Sequence, residues 1–144
     1  MILSRSTQYA LELVLYIVTH DHENFIPLSI IADKLDLSFP FLGKITQPLV
    51  KNKIVKSFRG PYGGVTLARP AAKISHYDVI IAIEGKSYFD NCILRPLRCN
   101  EGEHCPIHDF DAEIRATLKQ SFQNETMDKY FKANDTANNE NENN

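Results

Sequence analysis

No run of apolar residues in this 144-residue sequence approaches the roughly 20 needed to cross a bilayer; the longest, Leu13 to Val18 and Val79 to Ile83, are only long enough for a protein core. No membrane span is expected. The first residues, Met1 to Arg5, pass straight into a helical pattern without the basic start, separate apolar stretch and small-residue cleavage site of a secretory leader, which predicts a cytoplasmic protein. There is no glycine-rich cofactor loop and no spacing suited to a catalytic triad, so an enzyme is not expected. No internal repeat is visible. Cysteine is sparse: three in all, and none in a Cys-x-x-Cys pair.

Acidic residues are missing from one long interval. Between Asp36 and Asp78 there is neither Asp nor Glu, while Lys44, Lys51, Lys53, Lys56, Arg59, Arg69 and Lys73 all fall there. The net charge of -2 hides this asymmetry. A local basic patch neutralises nucleic-acid phosphates whatever the sign of the whole molecule, although the same residues also suit an ordinary solvated face. The surrounding pattern decides between these.

What is present reads as a sequence of short helices. Ser4 or Ser6 caps a first helix, with Tyr9, Ala10, Leu13, Val14 and Ile17 at helical spacing to about His20. Pro27 opens a second whose Leu28, Ile31, Ala32 and Leu35 share a face. Ser38 is placed as the N-cap of a third, which turns Leu42, Ile45 and Leu49 inward and Phe39, Pro40, Gly43, Lys44 and Gln47 outward. Two short helices across a tight turn make a helix-turn-helix, whose second helix meets a DNA groove. Pro48 removes a helical hydrogen bond to the Lys44 carbonyl, which predicts a short or kinked recognition helix.

Ile54 to Arg59 alternates and is β-branched, Gly60-Pro61-Tyr62-Gly63-Gly64 supplies turn residues, and Val65-Thr66-Leu67 returns as a second strand, giving a hairpin wing. Arg59 beside these glycines suits a narrow, strongly negative minor groove. Ser75 and Asp78 form a capping pair ahead of Val79, Ile80, Ile81 and Ile83, and Gly85 ends that helix. Helical spacing resumes from Asp109 to about Lys132, with Phe110, Ile114, Leu118, Phe122 and Tyr130 near one face. Such a helix is expected to lie beyond the head and to bury its stripe against a second subunit. The Asn/Glu-rich residues 133–144 are expected to be disordered.

Between Lys86 and His108 periodicity vanishes and all three cysteines appear, Cys92, Cys99 and Cys105, with His108 three residues beyond the last. Thiolates are soft ligands that suit iron–sulfur clusters, and such a set wraps a compact inorganic core. Three Cys and one His is also a tetrahedral zinc set, so residue chemistry alone leaves zinc open.

Thr7-Gln8-Tyr9-Ala10, Pro27-Leu28, Ser38 with Phe41-Leu42, Leu49-Val50-Lys51, and Ser57-Phe58-Arg59-Gly60-Pro61-Tyr62-Gly63-Gly64 followed by the three-cysteine loop resemble the Rrf2 family of winged-helix regulators, over Met1 to about Lys132. The resemblance implies a homodimer with crossed C-terminal helices, reading a pseudo-palindromic operator on double-stranded DNA. It implies an iron–sulfur cluster on Cys92, Cys99 and Cys105 that senses redox state, nitric oxide or iron. His108 falls where some members place the fourth ligand of a [2Fe–2S] cluster. In [4Fe–4S] members an acidic first-helix residue serves, at the position of Gln8 here; an amide substitutes poorly, which favours [2Fe–2S], though Glu12 stands one turn on.

The expectation is thus a mainly α chain with a small β-hairpin. Residues 1–85 form a winged helix-turn-helix head, 86–108 a cluster-binding loop, 109–132 a dimerisation helix and 133–144 a tail. The expected function is that of a transcription regulator, a repressor, with Ser38, Phe39, Lys44, Arg59, Gly60 and Tyr62 at the DNA. The alternatives are a zinc-stabilised constitutive DNA binder and a cluster-containing redox protein.

Overall fold

The computed structural model describes residues 3–20, 25–61, 63–92 and 105–130. The elements run α1 (Arg5–His20), α2 (Leu28–Leu35), α3 (Phe39–Lys51), β1 (Val55–Phe58), β2 (Gly64–Leu67), a 3-10 turn (Ala71–Lys73), α4 (His76–Glu84), a second 3-10 turn (Tyr88–Asp90) and α5 (His108–Asn124). The chain is mainly α with one antiparallel hairpin, as its pattern predicts. No described helix is long and apolar enough to cross a membrane.

The inner faces of the helices meet in one core. Leu13 and Ile17 of α1, Ile31 of α2, and Leu42 and Leu49 of α3 pack there with Ile54, Val65, Ile74 and Val79. Removing these branched side chains from water is the main drive for the head to close, at about 25 cal/mol per Å² of apolar surface. Local signals fix where the helices begin. The Ser38 hydroxyl accepts the Phe41 N–H at 3.3 Å and caps α3. At α4 the box is reciprocal: Ser75 Oγ accepts from the Asp78 N–H at 3.1 Å, and Asp78 Oδ2 accepts from the Ser75 N–H at 2.9 Å. Asp36, in left-handed conformation at φ 53°, turns the chain from α2 to α3. Its neighbour Leu37 closes the turn by donating to the Ala32 carbonyl at 2.9 Å.

Three features differ from expectation. First, α3 continues for 13 residues through Pro48, because the lost bond falls in its last turn; Asn52 caps that turn by donating to the Pro48 carbonyl from both backbone and side chain. Second, β1 does not alternate: Val55 is buried with Ile54 before it, while Lys56, Ser57 and Phe58 are all exposed. Phe58 packs on Phe25 at the surface, with ring centres 5.0 Å apart, while the core side of the ribbon is filled by Val65 of β2. Third, α5 ends at Asn124, short of the expected Lys132. Thr126 pairs with Ser75, the Met127 N–H bonds to the Ile74 carbonyl at 2.9 Å, and the Met127 side chain is 1% exposed within the core of the head. The far end of α5 is therefore sewn into the start of α4. Tyr130, expected on the helical stripe, lies beyond the break and packs on His76 with ring centres 5.6 Å apart. The tail 133–144 lies outside the described residues.

Candidate nucleic-acid interface

The hairpin is held at its turn and along β2. Gly60, at φ 118°, opens a turn closed by the Gly63 N–H on the Gly60 carbonyl at 3.0 Å. A Cβ on Gly63 would stand 2.2 Å from the Phe58 carbonyl oxygen, so only glycine lets the ribbon close here. On the outer edge of β2, one residue from the turn, Val65 exchanges two backbone bonds with Ile26, at 2.8 and 2.9 Å, tying the wing to the segment before α2. A Cβ on Gly64 would meet the Ile26 carbonyl oxygen at 2.1 Å. This close contact fixes the wing's angle to the head.

Between wing and α3 lies an open groove of about 830 Å³. Phe39, Gly43, Gln47, Val50 and Lys51 line it from α3, and Phe58, Arg59, Gly60 and Pro61 from the wing. Of the residues expected at DNA, Phe39, Arg59 and Gly60 thus share one groove. Ser38 stands at its helix end as the N-cap, and Lys44 is exposed on α3 but outside the groove lining. Tyr62 lies outside the described residues. Val50, Lys51 and Phe58 are additional lining residues. Val50 was within reach of the sequence, standing eleven positions after Phe39 and so on its helical face; Lys51, one position further, is turned off that face. Phe58 carried no such signal.

The basic interval divides on inspection. Lys44, Lys51, Lys53, Lys56 and Arg59 are exposed on α3, the turn after it, β1 and the wing. Arg69 instead pairs with Asp78 at 3.2 Å, bracing the chain just after β2 against the capping box of α4. It serves the fold rather than the patch.

Of the expected metal ligands, Cys92 and Cys105 are half-buried free thiols at either edge of the stretch 93–104, which lies outside the described residues and contains Cys99. The His108 N–H bonds to the Cys105 carbonyl at 3.1 Å, so one turn holds the two residues with Cα atoms within about 7 Å. His108 is exposed and begins α5. Among the described residues no three potential ligands converge. Gln8 donates to the Leu3 carbonyl at 3.0 Å, and Glu12 is exposed. The edges of the stretch are themselves braced. Arg115 Nε meets the Asp111 carboxylate, 3% exposed, at 2.7 Å, while Arg115 Nη1 reaches the Phe89 carbonyl at 2.9 Å.

Residues 3–133 match the Rrf2 family, described as an iron-dependent transcriptional regulator. The chain is similar to the HTH-type transcriptional regulator IscR of Erwinia tasmaniensis, 29% identical over 127 residues that cover 88% of this chain and 76% of that one. It is also similar to the structure of CymR, the global cysteine regulator of B. subtilis, with a TM-score of 0.75 and 25% identity over 91% of this chain and 96% of that one. The structure of T. potens IscR shares the fold at a TM-score of 0.73 and 23% identity, over 91% and 87% of the two chains.

Proposed function

The chain belongs to the Rrf2 family of transcriptional regulators, and from that premise we propose that it is a homodimeric repressor whose hold on a pseudo-palindromic operator is set by a [2Fe–2S] cluster. The cluster ligands are Cys92, Cys99, Cys105 and His108. The observation that carries this reading is the turn from Cys105 to His108 at the head of a helix whose far end is sewn into the winged head. Thiolate and imidazole are a donor set suited to a cluster that exchanges one electron. Iron dependence in the family description, and the likeness to a regulator named IscR, support iron over zinc.

The chain's own residues connect the two sites. A change of fold between Cys92 and Cys105 acts on the Phe89–Arg115–Asp111 brace and so on α5. At its other end α5 is followed by Thr126 and Met127, bonded to Ser75 and Ile74. Ser75 shares the Asp78 carboxylate with Arg69, just after β2, so this path ends at the root of the wing. Shifting the population of two loop states thereby alters wing angle and half-site spacing. On α5, Phe110 is 66% exposed and, with Ile114 and Leu118 at i+4 and i+8, offers an apolar stripe to a second copy. The protein acts in the cytoplasm.

Absorption of the anaerobically purified protein, joined to a DNA titration of loaded and cluster-free samples, tests this reading. Visible colour, its loss in Cys92→Ala, Cys99→Ala and Cys105→Ala, and a difference in affinity are expected. Colourless protein with stoichiometric zinc, or equal affinity in both states, overturns it.

A further inference from the structure

We infer that α3 reads thymine 5-methyl groups through Phe39 and the open space at Gly43, so that part of operator specificity is apolar contact rather than hydrogen bonding. This rests on the α3–wing groove being the DNA interface.

The first turns of a recognition helix are the ones that approach base edges. In α3 those positions are Phe39, Pro40, Phe41, Leu42 and Gly43, and none has a side-chain donor or acceptor. The nearby hydroxyls are engaged locally: Ser38 Oγ accepts from Phe41, and Thr46 Oγ1 donates to the Leu42 carbonyl at 2.8 Å. Leu42 is buried and Phe41 packs edge-on against Tyr9, with ring centres 5.9 Å apart. Phe39, by contrast, is 57% exposed.

An aromatic ring left in water at this place is a cost that a partner's apolar surface removes. The exposed Lys51 and Arg59 that line the same groove identify that partner as a polyanion. Within the major groove of B-DNA the apolar feature on a base edge is the thymine methyl. One turn beyond Phe39, a Cβ added at Gly43 would meet nothing within 4 Å, so the space beside the ring is open to receive such a group. Gln47, one turn further along the same groove, carries the one amide fork in α3, which suits adenine N6 and N7. The chemistry thus selects A·T pairs by two different means on one helix face.

The test uses full-length, anaerobically purified protein and a duplex it selects from a randomised library, with each thymine in turn replaced by deoxyuridine, which removes only the methyl. Wild type is expected to bind about fourfold more weakly at one or two positions, the equivalent of one buried methyl group. Phe39→Ala should lose that sensitivity and Phe39→Leu should keep most of it, both with unchanged melting temperatures. A selected duplex indifferent to every replacement, or equal sensitivity in wild type and Phe39→Ala, overturns the thymine contact while leaving DNA binding intact. Failure to select any duplex over random DNA overturns both this inference and the DNA reading beneath it.

Discussion

Arg115 Nη1 donates to the Phe89 carbonyl oxygen at 2.9 Å, joining the helix that follows residues 93–104 to the turn that precedes them. The same guanidinium holds the Asp111 carboxylate, so one side chain closes the base of the cysteine stretch. Arg115→Ala would take the guanidinium from a carboxylate that is 3% exposed and release the Phe89 carbonyl. A loss of about 1.5–3 kcal/mol in urea unfolding is expected. Iron should also leave faster to a chelator. Arg115→Lys, which keeps charge without the fork, should fall between. Unchanged unfolding and iron release in Arg115→Ala would show that the brace secures neither.

Arg59 and Arg69 should behave as opposites although both belong to the same basic interval. Arg59 is exposed in the groove, so Arg59→Ala should weaken DNA binding and reduce the slope of log affinity against log salt by about 1. Arg69 is spent on Asp78, with both side chains about a third exposed. Arg69→Ala should cost no more than about 1 kcal/mol of stability, for a pair so open to solvent, and leave the salt slope alone. The assignment fails where Arg69→Ala reduces the slope as much as Arg59→Ala does.

The wing's angle depends on the approach of Gly64 to Ile26. An added methyl would lie 2.1 Å from the Ile26 carbonyl oxygen, and that oxygen is already held by the Val65 N–H at 2.8 Å. Backbone must therefore move. Gly64→Ala should cost about 1–3 kcal/mol, as overpacking does. DNA affinity should fall with it, because Arg59 and Gly60 ride on the displaced hairpin. Gly43→Ala is the contrasting control for stability alone, since the added methyl meets nothing within 4 Å and should raise stability slightly by improving helix propensity. Equal melting temperatures for wild type and Gly64→Ala would mean that the strand tolerates the shift.

The parts of this fold that could be read from sequence are those settled by neighbours in the chain. Ser38, the Ser75 and Asp78 pair and the Gly60 to Gly64 turn each act within about four residues, and each does what its pattern predicts. The break at Asn124 was hidden because Phe122 and Tyr130 stand eight apart and keep helical spacing across it. What interrupts α5 is Met127, drawn into a core built from residues far earlier in the chain. The pairing of Ile26 with Val65 is a single bridge and leaves no alternating pattern to find. Arg69 looked like its basic neighbours because a charge run does not display the carboxylate nine residues on that folding brings to it. In the groove, helical spacing from Phe39 reaches Gln47 and Val50, whereas the wing residues facing them depend on the hairpin's tilt.

The fourth ligand is the most exposed part of the proposed cluster site. His108 is tied by its backbone to Cys105 and is itself exposed at the first position of α5, so its imidazole is free to turn toward a centre held by the Cys105 thiolate. The Gln8 amide is engaged with the Leu3 carbonyl at 3.0 Å, and Glu12 lies exposed on α1. Imidazole in place of thiolate removes negative charge and raises a cluster's reduction potential, as two histidines do in Rieske centres. His108→Cys should therefore keep a visible cluster with a potential lower by on the order of 100 mV. His108→Ala should lose iron during anaerobic purification or yield a centre that bleaches readily. Gln8→Ala and Glu12→Ala should leave both spectrum and potential unchanged. The reverse pattern, an unaltered His108→Ala beside an altered Gln8→Ala or Glu12→Ala, would move the fourth ligand to the first helix, across the dimer, and end the case for a histidine-ligated [2Fe–2S] centre.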